Sequence, residues 1–202
     1  MAELNFDRAR AEAAVRELLE ALGLDPNRPD LVGTPARVAE AYGTELLRGY
    51  SEDPARLIEA GSEPYDATTS DPIVLDGIEV TTVCPHHLLI AEGSATVAYV
   101  PGTLLLGLGT IARLVDTVSR RLVLQEEIAG QVVDALVTHA GARGAFCRIR
   151  LRHGCLRSRG PEQHRAEAVS FASRGELVDP KMIELVLGSA TTSGDGATKE
   201  RA

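Results

Sequence analysis

Two short segments rich in cysteine and histidine most constrain how this chain can fold. Cys84, His86 and His87 fall within four residues, and His153 and Cys155 stand two apart much later in the chain. Thiolate and imidazole are the ligands that Zn²⁺ prefers, because this borderline-soft ion accepts tetrahedral S/N coordination. If both segments bind one ion, the fold must bring two distant parts of the chain together. The pattern therefore predicts a zinc site built from two half-sites.

The number of candidate ligands bears on the kind of site. Five candidates exceed the four protein ligands of a structural zinc site and the three of a catalytic site, which keeps a position open for water. His86 and His87 diverge in an extended chain, so only one of them is expected to bind. A spare histidine beside a metal suits proton transfer near neutral pH, which favours catalysis. A structural zinc site, or no metal at all, is the alternative.

Composition is typical of a soluble globular protein with one compact domain, or with one domain and an N-terminal extension. The 202 residues are 44% hydrophobic, which is enough for a core. No apolar run approaches the ~20 residues that span a bilayer, and the charged N-terminus has no signal-peptide pattern, so we expect a cytoplasmic protein without a membrane partner. Three cysteines argue against a disulfide framework. The net charge of −8 argues against nucleic-acid binding.

Apolar residues with a helical period predict an N-terminal helical region. The predicted helices cover residues 3–23, the stretch from Thr34-Pro35 to about Arg48, and residues 54–60. Thr34 is a good N-cap and Pro35 a good first helical residue. Residues 61–71 are expected to form a loop.

From Pro72 the apolar period changes to two, which predicts strands. A strand with a turn or bulge at Asp76-Gly77 leads into Cys84, and a return strand follows to Pro101, with Glu92-Gly93 as the turn. The first half of the candidate metal site therefore lies at a strand end, in a hairpin.

The remaining elements alternate between the two periods. Two helices are predicted with inward-facing residues Ile111, Leu114, Val115 and Val118 in the first and Ile128, Val132, Ala135 and Leu136 in the second. Strands are expected over residues 144–155 and 166–173, followed by a last short helix to Leu187. Residues 189–202 are polar and rich in Ser, Thr and Gly, so we expect a disordered tail.

The late strand carries the second half of the candidate site. In an extended chain, one face holds Cys147, Ile149, Leu151, His153 and Cys155, and the other holds Arg148, Arg150 and Arg152. Cys147 is roughly 26 Å of strand from Cys155, so it is expected to be a buried hydrophobic residue instead of a ligand. The arginine face is either solvated or forms a subunit contact or anion site.

Several motifs resemble the GTP cyclohydrolase I family in order and spacing. They are Gly33-Thr34-Pro35-x-Arg37-Val38-Ala39, Cys84-x-His86-His87, Ala95 to Pro101, Gly107-Leu108, Ile111 to Val115, Gln125-Glu126 and His153-x-Cys155-x-x-x-Arg159-Gly160. The resemblance spans roughly Thr34 to Arg174. It implies an α+β tunnelling fold (T-fold), in which an antiparallel sheet carries a pair of helices on one side. The domain organisation is then a helical region over 1–60, a catalytic domain over 61–188 and a tail over 189–202.

The resemblance also implies the members of a metal site. Cys84, His87 and Cys155 would bind Zn²⁺ and leave the fourth position to water. His86 and His153 would transfer protons. The family assembles into a ring-shaped homo-oligomer, a homodecamer, with its sites between subunits.

Substrate-binding residues follow from the same resemblance. Glu126, with Gln125, would hold the guanine edge of GTP. Arg113, Arg159 and Arg37 would face the triphosphate, because guanidinium forks suit phosphate oxygens.

The implied reaction opens the imidazole ring of GTP, releases formate and gives 7,8-dihydroneopterin triphosphate, the first step of folate and pterin biosynthesis. The chain departs from the family pattern at Pro85, where Glu is usual, and at Gly109-Thr110, where Ser-Lys is expected. Two alternatives therefore stand beside GTP cyclohydrolase activity. One is a paralogous T-fold enzyme acting on another purine nucleotide or a pterin, and the other is a zinc-stabilised structural protein without turnover.

Overall fold

The computed structural model describes residues 5–66 and 71–191. Its helices and strands, in chain order, are α1 (Arg8–Ala21), α2 (Thr34–Glu40), α3 (Pro54–Ala60), β1 (Ser62–Pro64), β2 (Ile73–Val83), β3 (Ile90–Val100), β4 (Leu104–Leu106), α4 (Leu108–Ser119), α5 (Gln125–Ala140), β5 (Gly144–His153), α6 (Gly154–Arg157), β6 (Ala168–Gly175) and α7 (Pro180–Thr191). A π-helical segment, Ala41–Leu46, continues α2, and short 3₁₀ turns cover Arg48–Ser51 and Glu176–Val178.

A four-stranded antiparallel sheet in the order β2-β3-β5-β6 forms the centre of the fold. Helices α4 and α5 pack on one face of this sheet and build the main core with it. All eight inward-facing positions predicted for these two helices are buried. The pair of helices on one side of an antiparallel sheet is the α+β T-fold architecture that the resemblance implies.

The opposite face of the sheet is covered at one end by α7. A second, smaller core lies there, made by Ala98, Val100, Phe146, Leu177 and Val186. The alternation predicted for β5 is confirmed, since Cys147, Ile149 and Leu151 are fully buried and Arg150 and Arg152 are exposed on the other face.

The hairpin of β2 and β3 is confirmed, but its turn is elsewhere than predicted. The register shifts between Leu75 and Ile78, where Gly77 has a φ of 72°, so the predicted bulge is present. Glu92 and Gly93 do not turn; they lie inside β3, paired with β2 on one side and β5 on the other. Glycine is needed here for close approach, because a Cβ at Gly93 would overlap the carbonyl oxygen of Arg150.

The N-terminal helices are present with shifted boundaries. Helix α1 begins later than predicted because Asp7 caps it, accepting the Arg10 amide N–H at 3.0 Å. Gly33, not Thr34, is the N-cap of α2. The predicted loop after α3 contains the short strand β1, which pairs with β4. This pairing joins residues that are distant in the sequence, so no local sequence pattern predicts it.

Helix α3 belongs to the same packing unit as the sheet. Leu57 and Ile58 lie in the main core with α4 and α5 residues. The division into a helical region and a catalytic domain remains a prediction, and residues 192–202 of the predicted tail lie outside the described residues. Among the described residues, no helix is both long enough and apolar enough to cross a membrane.

Candidate metal centre

The turn between β2 and β3 carries the first half of the site. The Cys84 amide N–H donates to the Leu89 carbonyl at 3.0 Å, and the Leu88 amide N–H donates to the Cys84 carbonyl at 2.9 Å. Leu88 has a φ of 53°, a left-handed conformation that is uncommon for a branched side chain. The Tyr42 hydroxyl donates to the Leu88 carbonyl at 2.6 Å. These bonds fix the turn and hold it against the N-terminal helical region.

The second half of the site lies where β5 ends. The strand stops at His153, and Cys155 lies in the single helical turn α6. The expectation that Cys155 continues the strand is therefore wrong. A Cβ at Gly154 would approach the Ile90 carbonyl oxygen to 2.7 Å. The missing side chain lets the turn pack closely against the start of β3 and brings Cys155 to the first half-site.

Three of the five candidate ligands converge. The ligand atoms of Cys84, His87 and Cys155 all lie within 4.8 Å of one another. Cys84 is buried, Cys155 is partly buried and His87 is exposed. His86 is outside this group, and its ring is edge-on to that of His87 with the ring centroids 6.3 Å apart. The geometry therefore distinguishes the two adjacent histidines, which the sequence left open before the resemblance was considered.

The donor set fits a zinc ion. Two sulfurs and one imidazole nitrogen match the soft to borderline donors that Zn²⁺ accepts, and three protein ligands leave a position open. Burial raises the pKa of the Cys155 thiol, and the neighbouring Cys84 raises it further. Binding of a metal through Cys155 would release the proton of this thiol, which makes affinity dependent on pH.

His153 contacts Gln125 beside the cluster. The His153 Nε2 atom lies 2.6 Å from Gln125 Oε1. Burial lowers the pKa of His153 because it disfavours the charged imidazole, while the charge of Glu126 acts in the opposite direction. Glu126 is exposed in the first turn of α5. His153, Gln125 and Glu126 thus form a second group next to the candidate ligands.

The three predicted phosphate-binding arginines have different contacts in the structure. Arg159 is near the cluster, since its charge lowers the pKa of Cys155. Arg113 has a side chain that is 66% exposed and pairs with Glu52 at 3.5 Å. Arg37 donates to the Thr34 hydroxyl at 3.1 Å. Among the described residues, no recorded contact joins Arg113 or Arg37 to the metal cluster.

Two contributors to the site were missed in the sequence. Tyr42 falls within the predicted helix that begins at Thr34-Pro35, yet its hydroxyl donates to the turn between β2 and β3, 46 positions away. Gly154 lies between two predicted site residues, His153 and Cys155. This position is the only sign in the sequence that the backbone at Gly154 approaches Ile90 closely.

Comparisons with known proteins identify the family of the chain. The sequence model of the family described as GTP cyclohydrolase I matches residues 11–190. GTP cyclohydrolase 1 of Leifsonia xyli subsp. xyli is 44% identical over 175 residues, which cover 87% of this chain and 91% of that protein. GTP cyclohydrolase 1 of Streptomyces griseus is 38% identical over 87% of this chain and 86% of that protein.

A further relative and one solved structure are also similar to this chain. GTP cyclohydrolase 1 of Mycobacteroides abscessus is 40% identical over 85% of this chain and 83% of that protein. A crystal structure of the archaeosine synthase QueF-Like in the apo form aligns with a TM-score of 0.44 and 17% identity, over 54% of this chain and 97% of that chain. Because the family match and the relatives extend across most of the sequence, the chain belongs to the GTP cyclohydrolase I family.

Proposed function

We propose that this protein opens the imidazole ring of GTP by hydrolysis, releases formate and forms 7,8-dihydroneopterin triphosphate. The observation that carries the proposal is the convergence of Cys84, His87 and Cys155 to within 4.8 Å in a chain of the GTP cyclohydrolase I family. The relatives that cover most of its length bear the name of this activity.

The resident metal in this proposal is Zn²⁺, held by Cys84, His87 and Cys155. When bound, zinc supplies a Lewis acid that lowers the pKa of water and so provides a nucleophile at neutral pH. The protein's part is to fix three ligands and leave the remaining position accessible. His87 is the exposed member of the set, so that side is open to substrate.

His86 and His153 are the proposed proton-transfer residues. Histidine suits this role because its ordinary pKa lies close to neutral pH. Opening the guanine ring requires a proton on the departing nitrogen and removal of protons from the attacking water. The lowered pKa of the partly buried His153 favours its neutral form, which is the form that accepts a proton.

Glu126 is the proposed direct contact for the guanine edge, with Gln125 beside it as the residue that contacts His153. A carboxylate can accept from both the ring N–H and the exocyclic amine, and such paired hydrogen bonds to a charged group are strong. Glu126 is exposed in the first turn of α5 and close enough to His153 to influence its pKa. This position would hold the base near the metal.

Arg113, Arg159 and Arg37 are proposed to bind the triphosphate in sites shared between subunits of a ring. The lysine expected at position 110 is absent, and the Thr110 hydroxyl instead donates to the Gly61 carbonyl at 3.1 Å. The missing cation motivates a comparison of GTP, GDP and GMP as substrates.

The decisive experiment is incubation of zinc-loaded protein with each nucleotide, followed by measurement of formate and of fluorescent pterin after oxidation. We expect GTP to give both products, and His86→Ala to slow their formation by about 10²- to 10⁴-fold. His139→Ala is the matched control, because His139 is an exposed residue near the end of α5. If none of the three nucleotides is opened, the proposal fails, and another purine or pterin substrate or a structural zinc site becomes the better explanation.

A further inference from the structure

Gln125 is held from several directions inside the fold. It is 4% exposed although it is the first residue of α5. Its side-chain nitrogen donates to the carbonyl of Ile149 at 3.3 Å and to that of Ala168 at 2.9 Å. Its backbone carbonyl accepts from the Ser170 hydroxyl at 3.2 Å. Gln125 is therefore tied to β5 and to β6, and its side-chain oxygen faces His153 at 2.6 Å.

These contacts determine the orientation of the Gln125 side-chain amide. An amide nitrogen has two hydrogens, and both are used by the two carbonyl oxygens. Turning the amide over would set Oε1 against those two acceptors and lose both bonds, each worth about 1 kcal/mol. Water cannot compensate, because Gln125 is almost fully buried. The oxygen therefore faces His153, as the hydrogen-bond network requires.

The orientation of the Gln125 amide in turn determines which ring nitrogen of His153 carries the hydrogen. An amide oxygen only accepts, so the short contact requires a hydrogen on His153 Nε2. In the neutral ring, the lone pair is then on Nδ1. Among the described residues, no recorded hydrogen bond uses His153 Nδ1. When Nδ1 accepts a proton, Gln125 Oε1 still accepts from Nε2–H, so one contact supports both states of the ring.

We infer that Gln125 is a positioning residue that fixes His153 as the Nε2–H tautomer and makes Nδ1 the nitrogen that exchanges a proton with the substrate. The proton exchange rests on the proposed function, whereas the tautomer is a property of the folded chain. Because both amide hydrogens of Gln125 are already used, this inference leaves the guanine edge to Glu126. The acceptor Oε1 serves His153 instead of the base.

Nitrogen-15 NMR of protein labelled only at histidine tests the inference without any substrate. The chain has five histidines, and a His153→Asn variant identifies the signals of His153. We expect a hydrogen on Nε2 and none on Nδ1 in the wild type near neutral pH. Gln125→Met, which keeps the length of the side chain but removes its polar atoms, should give a mixture of tautomers. Gln131→Met is the matched control, because it makes the same change at an exposed position of α5.

Kinetics provide the second readout. Gln125→Met should lower kcat by about 10- to 100-fold with little change in KM. This is the usual effect of removing a hydrogen-bond partner that orients a histidine at a metal site. A neutral wild-type His153 with its hydrogen on Nδ1 and none on Nε2 overturns the inference, and this result is read from the wild-type spectrum. A rise in KM with an unchanged tautomer also overturns it, since it marks a guanine contact. If the wild type opens no GTP, the proposed function fails while the spectra still decide the tautomer.

Discussion

At the scale of single residues, His86 and His87 are sequence neighbours with different positions relative to the cysteines. Only His87 has a ligand atom within 4.8 Å of those of Cys84 and Cys155. We therefore predict that His87→Ala loses both zinc and turnover, because only two protein ligands, both sulfurs, then remain for the ion. His86→Ala should keep zinc and lose about 10²- to 10⁴-fold in kcat, the range of a general acid or base. Metal content by mass spectrometry and formate release check the pair.

Cys155→Ala provides the control for this assignment. It removes one of the two sulfurs and should abolish stoichiometric zinc binding. Equal loss of metal in the His86 and His87 variants would argue for a structural site in which both histidines support the ion.

Also at the residue scale, complete burial distinguishes Cys147 from the partly buried Cys155. Cys147 is 0% exposed, and burial raises the pKa of its thiol to about 12. Because the thiolate is the reactive form, we predict that iodoacetamide at pH 8 modifies Cys155 and spares Cys147 in the folded, metal-free protein. Peptide mass spectrometry before and after denaturation checks this. Modification of Cys147 at the same rate in both states would contradict it.

The same raised pKa fixes the sign of a pH effect on stability. The folded state holds the Cys147 proton more tightly than the unfolded state, whose thiol has a pKa near 9.0. Its contribution to the free energy of unfolding is fully present below pH 9.0 and is lost as pH rises toward about 12. Cys147→Ala should flatten this decline in alkaline denaturation curves.

At the scale of elements, the π-helical segment after α2 contacts the turn between β2 and β3 through one hydrogen bond. The Tyr42 hydroxyl donates to the Leu88 carbonyl at 2.6 Å. Tyr42→Phe removes this bond, which is worth about 1 kcal/mol, and should weaken zinc binding by roughly fivefold. Competition with a chelator measures the change.

The matched control for this prediction is Tyr65→Phe. Tyr65 hydrogen-bonds Thr103 through its backbone amide, so loss of its hydroxyl should leave zinc affinity unchanged. Equal affinities of the Tyr42→Phe variant and the wild type would show that the turn keeps its shape without the helical region.

At the scale of the whole molecule, the three candidate metal ligands converge, whereas among the described residues no hydrogen bond or ion pair joins Arg113 or Arg37 to them. Arg113 is 66% exposed at its side chain, and its recorded ion pair is with Glu52. If each site lies between two subunits, one chain supplies Arg113 and the other supplies His86. Arg113→Ala and His86→Ala then remove contributions of different chains to the same site. We predict that mixed assemblies of these two inactive variants regain turnover, because some sites then combine two intact contributions.

Co-expression with two affinity tags and sequential purification yields the mixed assemblies for this test. Each variant purified alone is the control. Verified mixed assemblies without turnover, or a fully active monomer at micromolar concentration, would show that each chain completes its own site.

Local physical chemistry explains what the sequence by itself determined. The core positions of α4 and α5 and the alternation in β5 follow from side-chain periods of 3.6 and 2, which each segment expresses alone. The bulge at Asp76-Gly77 likewise has a local cause, because glycine adopts the positive φ that it requires. The ligand types and the motif spacings already pointed to zinc and to the family.

Only the tertiary structure decided which of these residues meet. The selection of His87 over His86 by geometry, the helical turn at Cys155 and the pairing of β1 with β4 depend on packing between distant segments. The same is true of Gln125, whose amide is oriented by carbonyl groups 24 and 43 positions away. A hydrogen bond between distant residues forms only after the whole chain has paid the entropy of bringing them together, so no local pattern contains it.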